Sequence, residues 1–313
     1  MAAGKEVLDK SKDEYIGGVW AAARSVRIAL MLLRESKPFP TEEIYDSAHH
    51  LLHLLSRDRE RLLYSLSSLH NERQALRQGV KVGVLLGDCL LTDAQWKDKA
   101  LDATVGGLLH TLGKPLLLDR ERYSRDSGFS QEERALLREH APRLVTAMSE
   151  QGWEPPETAL DVILNINERL DGSGYPAGRT ASQLSDLARL AAILRTGCKL
   201  LGPGAGRYHQ SPAEVYRRLY LRPHAYDRRW VTTLARRYSF YPIGTLVRFS
   251  SGALGWVMKL NSRGLPAQVR LVREPTAPHK PVSRVMDVEP VGYLGKPEDV
   301  VNPEDYGVSF SQT

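Results

Sequence analysis

Apolar residues in the first part of the chain recur at steps of three or four, the spacing of one face of an α-helix. One series runs from Ile16 to Leu33 and stops near the break at Pro38-Phe-Pro40. A second series begins after Pro40 and continues to Leu69. The pattern predicts a helical hairpin within an N-terminal segment of residues 1–70. Its Leu-rich faces either pack on the rest of the chain or form a homodimer.

Ser/Thr-x-x-Glu/Gln sequences mark further helix starts, because the first side chain accepts a backbone N–H three residues on. They occur at Thr92/Gln95, Ser130/Glu133, Thr180/Gln183 and Ser211/Glu214. Pro212 at the first helical position strengthens the last of these, whereas the helix after Thr180 has an alternative start near Ser185. The pattern predicts a helical domain over residues 71–238.

The pattern changes after Phe240 to short runs of β-type residues, separated by turn-forming residues. The runs cover residues 245–249, 255–260 and 268–272. They predict a small antiparallel β module over residues 239–294. Residues 295–313 contain prolines and acids and are predicted to form a loosely ordered tail. The predicted fold class is therefore mainly α, with a helical bundle between the hairpin and the β module.

The amino-acid composition is that of a globular protein rather than of a membrane-spanning or disulfide-rich one. Of the 313 residues, 42% are hydrophobic and 26% are charged, as in ordinary globular proteins. No uninterrupted apolar run approaches the ~20 residues that a membrane-spanning helix needs, and the N-terminus lacks the apolar stretch of a secretory signal. The two cysteines, Cys89 and Cys198, are too few for a disulfide framework or a cysteine-based zinc site. We expect a cytoplasmic protein without a membrane partner.

Positive charge is concentrated in residues 207–241, which contain eight arginines, two acids and several interleaved aromatic residues. Arginine mixed with tyrosine and tryptophan favours an anionic partner and is compatible with binding of nucleic acid. The alternative is a set of solvated helix faces whose arginine stems cover apolar neighbours.

The sharpest local signal is Asn165-Ile-Asn-Glu-Arg-Leu-Asp-Gly-Ser-Gly-Tyr-Pro176, a helix end that runs into a Gly-rich loop. Its glycines and proline fix the path of the backbone, so a purely structural turn is one interpretation. Upstream lie Leu108-Leu-His-Thr-Leu-Gly-Lys114 and Glu139-His140. At this order and spacing the motifs resemble the HD-GYP branch of the HD phosphohydrolase superfamily. Tyr241-Pro-Ile-Gly-Thr-Leu-Val247 is similar to the opening of the β module that commonly ends such proteins.

The resemblance implies an HD-type helical bundle, and active members of the family hydrolyse cyclic di-GMP at a centre of two or three metal ions. It also implies cyclic di-GMP as a ligand. A diguanylate cyclase or other signalling protein is the implied partner at the Gly-rich loop around Gly172-Ser-Gly-Tyr-Pro176 (the GYP loop). Nine positions other than histidines match the family motifs: Lys114, Glu168, Arg169, Asp171, Gly172, Gly174, Tyr175, Pro176 and Arg189.

Most positions at which the family carries metal ligands hold other residues here. His110 and His140 match. The remaining ligand positions are occupied by Gln78, Thr111, Ile166, Asn167, Arg195 and Cys198. Two imidazoles cannot hold two divalent cations. We therefore predict a degenerate protein in which His110, Lys114 and His140 are vestigial, with no catalytic residue and no cofactor.

Arg195 leads to a specific hypothesis. A fixed guanidinium beside Lys114 would supply the positive charge of the missing metals and hold a phosphate without activating water. In the alternative, Arg195 pairs with Glu168 or Asp171.

Two other functions remain open. One is an active phosphodiesterase in which Glu168, Asp171, Gln74 or Gln78 replace the lost ligands around an iron or manganese ion. The other is nucleic-acid binding through residues 207–241.

Overall fold

The computed structural model describes residues 13–119, 128–201, 210–274, 277–289 and 292–310. The helices are α1 Glu14–Arg34, α2 Thr41–Arg57, α3 Arg59–Ser65, α4 Gln74–Leu91, α5 Ala100–Leu109, α6 Gly113–Leu117, α7 Gln131–Arg138, α8 His140–Glu150, α9 Glu157–Asn165, α10 Asp186–Leu201, α11 Pro212–Tyr220 and α12 Arg228–Tyr238. The strands are β1 Leu246–Phe249, β2 Leu254–Leu260, β3 Pro266–Glu274, β4 Ala277–Asp287 and β5 Pro297–Val301. The predicted mainly α class with a small antiparallel sheet is confirmed.

Helices α1 and α2 form the predicted hairpin and pack against α4. Val19, Val26 and Leu51 are fully buried in the same core as residues of α4 and α5. The hairpin therefore covers the helical domain, which is one of the two arrangements that the sequence left open. The second predicted helix is broken at Asp58, whose backbone is extended and whose carboxylate accepts the N–H of Arg61 to begin α3.

Helix α1 is, within the described part of the chain, long and apolar enough to cross a membrane by length and composition. The search for uninterrupted apolar runs overlooked it, because polar residues are spaced along its 21 residues. One face of the helix is buried against α2, α3 and α4. The face occupied by Trp20, Ile28 and Met31 is partly exposed. This burial is the pattern of a helix that contributes to a globular core.

Glycines allow the central helices α4 and α5 to approach closely. A Cβ atom built on Gly79 would lie 2.4 Å from the carbonyl oxygen of Leu108, and one built on Gly107 would lie 2.6 Å from the Cα of Gly83. Helix α10 packs on α4, and α9 packs on α5. Arg195 of the candidate site lies in α10, and His110 directly follows α5.

The helix starts predicted from capping sequences are partly confirmed. Complete capping boxes begin α7 at Ser130 and α11 at Ser211. The box at Thr180 is present but begins a 3₁₀ helix over Ala181–Gln183, and α10 starts at Asp186, next to the alternative start near Ser185. The prediction at Thr92 was wrong. Thr92 ends α4, and its hydroxyl donates to the carbonyl of Cys89 instead of accepting an N–H.

The C-terminal sheet is antiparallel with strand order β4-β3-β2-β1-β5. The prediction of a loosely ordered tail was wrong for its described part, because Pro297–Val301 pair with β1 as β5. Phe310 is buried, with its ring 5.0 Å from that of Tyr64 and 5.3 Å from that of Trp256. Apolar contact with the sheet and with α3 therefore fixes Phe310. Residues 1–12 and 311–313 of the predicted segments lie outside the described residues.

A buried carboxylate links the helical elements to one another. Asp88 in α4 accepts charge-assisted hydrogen bonds from Arg59 of α3 at 2.6 Å and from Arg237 of α12 at 2.8 Å. The hydroxyl of Tyr238 donates to the same carboxylate. Burial alone would raise the pKa of Asp88, but the two guanidinium groups hold it below its ordinary value. Asp88 is therefore ionised and fully partnered at neutral pH.

Candidate functional site

The two histidines and the two cations that the sequence singled out converge inside the helical domain. His110 follows α5, Lys114 lies in α6, His140 begins α8 and Arg195 lies in α10, and all four are buried. Helix α6 approaches α8 so closely that a Cβ atom built on Gly113 would lie 1.9 Å from the carbonyl oxygen of His140. The glycine of the His-Thr-Leu-Gly-Lys motif is thus required for packing that brings Lys114 next to His140.

Both imidazoles are neutral. Nδ1 of His110 lies 2.7 Å from the carbonyl oxygen of Gly107 and donates to it, so Nε2 carries the lone pair. Burial, together with the smaller effects of the charges of Lys114 and Arg195, outweighs this hydrogen bond and lowers the pKa of His110 to about 3. Burial also holds the pKa of His140 well below its ordinary value. Nε2 of His110 and Nδ1 of His140 have no hydrogen-bond partner among the described residues.

Lys114 and Arg195 are buried cations with relative exposures of only 6% each. Burial, followed by the charges of Arg195 and Lys199, holds the pKa of Lys114 well below its ordinary value. Among the described residues, no hydrogen bond or ion pair reaches the amine of Lys114 or the guanidinium of Arg195. The Nε of Arg195 is a buried donor that has no partner in this part of the chain. Buried charges are normally paired, so these two groups suit an anionic ligand.

The nearby carboxylates do not supply that anion. Oε1 of the buried Glu168 accepts the backbone N–H groups of Ala177 at 2.8 Å and Gly178 at 3.1 Å, and Oε2 accepts that of Arg179 at 3.1 Å. Asp171 accepts the backbone N–H and the hydroxyl of Ser173, which lower the pKa of its carboxyl group. The alternative pairing of Arg195 with Glu168 or Asp171 is therefore not present among the described residues.

The GYP loop is closed against the helix end that precedes it. Gly172 has a φ of 73°, which favours glycine, and Gly174 lies against the backbone of Glu168. The carbonyl of Gly174 accepts a hydrogen bond from Arg138. The half-buried Tyr175 precedes Pro176, and its ring meets that of His140 edge-on at 6.1 Å. The loop thus forms one wall of the site through Tyr175.

The two predicted arginines of this region have structural partners. Arg169 donates to the carbonyl of Glu168, and its guanidinium lies 4.7 Å from the ring centre of Tyr226. Arg189 donates to the carbonyl of Ala181 at 2.6 Å and lies 3.5 Å from the carboxylate of Asp227. Both arginines hold the loop and α10 in place, and neither contacts the histidine pair among the interactions of the described residues.

Two further contributors to the site were missed at the sequence level. Asn167 was noted only as the replacement of a ligand, yet its Nδ2 lies 3.3 Å from Nε2 of His140, and its buried Oδ1 has no partner among the described residues. Arg138 lies over the ring of Tyr175 at 5.4 Å. Its position directly before Glu139-His140 was the available signal.

The donor set does not fit a metal centre. Among the described residues no three His, Cys, Asp or Glu side chains converge. Thr111, at the position where the family motif has a carboxylate, donates its hydroxyl to the carbonyl of Ala75. The two cations beside His110 and His140 would repel a divalent ion. The surroundings of the histidines suit an anion.

The pH dependence of stability follows from the neutral histidines. The pKa of His110 is about 3 in the folded protein and 6.5 when unperturbed, so the unfolded chain binds a proton that the folded chain does not. Stability is therefore lost as the pH falls below about 6.5, by about 1.4 kcal/mol per pH unit for each such histidine. We expect His110→Asn to reduce this slope in urea unfolding between pH ~7 and pH ~5. An unchanged slope would contradict the assignment.

The arginine-rich segment is described from residue 210 onward, so Arg207 lies outside the described residues. Arg237 pairs with Asp88, and Arg229 pairs with Asp186 at 2.6 Å. The guanidinium of Arg228 covers the ring of Tyr220 at 4.7 Å. These three arginines therefore have partners within the chain, whereas Arg217, Arg218, Arg222 and Arg236 are exposed. Nucleic-acid binding through this segment stays a prediction.

Comparisons with known proteins agree with this architecture. A family model described as HD domain matches residues 43–211. The chain is 30% identical over 164 residues to the cyclic di-GMP phosphodiesterase PA4108 of Pseudomonas aeruginosa, a match that covers 52% of this chain and 39% of that protein. The structure of Bd1817, an HDG"Y"P protein from Bdellovibrio bacteriovorus, is similar with a TM-score of 0.56 at 16% identity, covering 72% of each chain. This likeness concerns the fold.

Proposed function

Because this chain belongs to the HD domain family, we propose that it acts in cyclic di-GMP signalling as a nucleotide-binding or protein-interaction module without phosphodiesterase activity. The similarity to a curated cyclic di-GMP phosphodiesterase supports the choice of nucleotide. The site geometry supports the choice of binding over hydrolysis. The chain spans well under half of that relative's length, at 39%, so the activity of the relative is not carried over as a whole.

One observation carries the proposal: Lys114 and Arg195 are both buried, the charge of Arg195 acts on Lys114, and neither side chain has a carboxylate partner among the described residues. An uncompensated buried charge is strongly destabilising, which is why burial lowers the pKa of Lys114, and an anionic ligand would pair with both groups. The phosphodiester groups of cyclic di-GMP are anions of suitable chemistry. A guanidinium binds such oxygens through two parallel hydrogen bonds, and an ammonium adds a point charge.

Hydrolysis would require groups that activate water and neutralise the developing charge. His110 and His140 are neutral and enclosed, and the oxygens of Glu168 are occupied by backbone N–H groups. The substitute ligands Gln74 and Gln78 are buried amides, which are weak donors for iron or manganese. These features disfavour the alternative of an active phosphodiesterase with a substituted metal site.

Metal content and turnover test this choice together. We expect untagged protein, analysed by inductively coupled plasma mass spectrometry, to contain substoichiometric iron, manganese and zinc. We also expect it to leave cyclic di-GMP intact when Mn²⁺ or Fe²⁺ is added. Stoichiometric metal together with a linear dinucleotide product would establish the enzyme and reject the proposal.

Arg195→Ala is expected to weaken cyclic di-GMP binding at least tenfold, which corresponds to about 1.4 kcal/mol, because the charge that replaces the metals is removed. Isothermal titration calorimetry measures the change. Arg217→Ala, in the exposed part of α11, serves as the control and is expected to bind as the unaltered protein does. Equal affinities of Arg195→Ala and the unaltered protein would reject the role of Arg195.

Binding should also be coupled to protonation of Lys114. Its pKa lies well below the ordinary value in the free protein, and a bound phosphate raises it by supplying a negative charge. Cyclic di-GMP binding therefore takes up protons wherever the pH lies between the two pKa values, and affinity falls as the pH rises there. Calorimetry in two buffers of different ionisation enthalpy measures the uptake. Identical heats in both buffers across the alkaline range would contradict it.

A docking role for the GYP loop is the second arm of the proposal. Asp171, Ser173 and Ala177 form the exposed side of the loop, while Gly174 and Glu168 are buried beneath it. A diguanylate cyclase domain is the partner class that we infer from the family resemblance. Ser173→Arg alters the exposed side and removes the hydroxyl bond to Asp171 but keeps the backbone N–H bond. It should abolish such a complex without altering cyclic di-GMP affinity.

A further inference from the structure

A cavity of about 420 Å³ lies between the helical domain and the sheet, and its lining includes none of His110, Lys114, His140 and Arg195. Its volume is in the range of small-molecule pockets. Its walls come from the helices α3, α4, α10, α11 and α12 and from the strands β1 and β2. The lining is mainly apolar and includes Leu63, Leu85, Leu194, Leu219, Ile243 and Trp256.

Lys81 of α4 places one amine in this apolar lining. Among the described residues no hydrogen bond or ion pair reaches that amine. Arg59 and Arg237 also line the cavity, but both are bound to Asp88. The carboxylate of Glu304 lies in an exposed residue at the rim. Burial lowers the pKa of Lys81 to about 8, so the amine is mostly protonated at neutral pH.

The other titratable groups around Lys81 do not neutralise it. Cys198 faces it from α10, and burial raises the pKa of that thiol to about 11. Arg77, one turn away on α4, carries a like charge that lowers the pKa of Lys81. The pKa of His70 is lowered by burial, and that of Tyr216 is raised by burial, so both side chains are neutral. The cavity thus combines an apolar body with one uncompensated positive charge.

Gly197 is a second observation that concerns the open space of this cavity. It lies within α10 and lines the cavity, and a Cβ atom built there would meet no heavy atom within 4 Å. Close packing therefore does not require glycine at this position, and glycine weakens a helix interior relative to other residues. A longer side chain at 197 would project into space that the cavity now provides.

We propose that this cavity binds a medium-chain monocarboxylate, with the hydrocarbon chain against the apolar lining and the carboxylate paired with Lys81. The hydrocarbon gains from leaving water, and the carboxylate forms a charge-assisted hydrogen bond with the amine. The site is separate from the cyclic di-GMP site in position and in chemistry, since its ligand is largely apolar.

Decanoate and 1-decanol are the probes, titrated calorimetrically into the full chain without nucleotide. We expect decanoate to bind at one per chain and more tightly than 1-decanol. Lys81→Met should weaken decanoate binding at least tenfold and leave 1-decanol binding within about twofold, because methionine preserves the apolar stem. No decanoate binding by the unaltered protein, or equal decanoate affinity in Lys81→Met, would overturn the proposal.

Gly197→Leu tests the location of the ligand. The leucine occupies the cavity and removes a helix glycine, so the variant should lose binding of both probes while its melting temperature rises. Gly17→Leu is the matched control, because Gly17 also lies in a helix with no heavy atom within 4 Å of a built Cβ but does not line the cavity. Wild-type decanoate affinity in a folded Gly197→Leu protein would overturn the assignment of the cavity.

Discussion

Lys114→Met is expected to weaken cyclic di-GMP binding about 100-fold and to raise the free energy of unfolding by about 1–3 kcal/mol. Affinity falls because the variant removes one partner of a desolvated charge pair, which corresponds to about 3 kcal/mol. Stability rises because the folded protein no longer holds a buried amine whose pKa is well below its ordinary value. Calorimetric titration and urea unfolding measure the two effects.

Lys81→Met is the matched control for this variant, since Lys81 is a half-buried lysine that also has a lowered pKa but lines the cavity next to the sheet. It should gain stability in the same direction and keep its affinity for cyclic di-GMP. If Lys114→Met lost stability, the amine would have an anionic partner in the free protein. If it bound cyclic di-GMP with unchanged affinity, Lys114 would not be part of the nucleotide site.

Gly174→Ala is expected to lower the free energy of unfolding by at least about 3 kcal/mol. A Cβ atom at this position would lie 2.3 Å from the Cα of Glu168 and 2.5 Å from the backbone nitrogen of Arg169. Both are backbone atoms, so a side-chain movement cannot relieve the overlap. The change would separate the loop from the helix end and break the hydrogen bonds of Glu168 to the loop N–H groups.

Gly17→Ala is the control for the loop variant, because no heavy atom lies within 4 Å of its built Cβ and alanine favours a helix. It should unfold at the same or a higher urea concentration than the unaltered protein. A loss below about 1 kcal/mol in Gly174→Ala would show that the loop backbone yields easily, and the close packing described for this motif would be wrong.

Local sequence patterns predicted the elements whose defining contacts are between residues close in the sequence. Helical spacing gave the hairpin, and the capping sequences at Ser130 and Ser211 gave two helix starts. The same sequence rule failed at Thr92, because its hydroxyl is used by the end of the preceding helix. The C-terminal strand was missed because its pairing with β1 and the burial of Phe310 depend on contacts far away in the sequence.

The sequence singled out residues of the candidate site, but it did not show which of their side chains bond to one another. Motif spacing identified His110, Lys114, His140 and Arg195, which the fold brings together. Sequence alone left open whether Glu168 pairs with Arg195. That question is decided by the loop backbone, whose N–H groups occupy the Glu168 carboxylate. No residue type signals this arrangement, because backbone donors are available in every loop.

We propose that Lys114 and Arg195 bind the nucleotide in place of metal ions. Calorimetric titration of the purified protein with cyclic di-GMP in the presence of excess EDTA tests this role. We expect saturable binding at one nucleotide site per chain, with the same affinity with and without the chelator. Absence of binding in EDTA, with binding restored by Mn²⁺ or Fe²⁺, would contradict it.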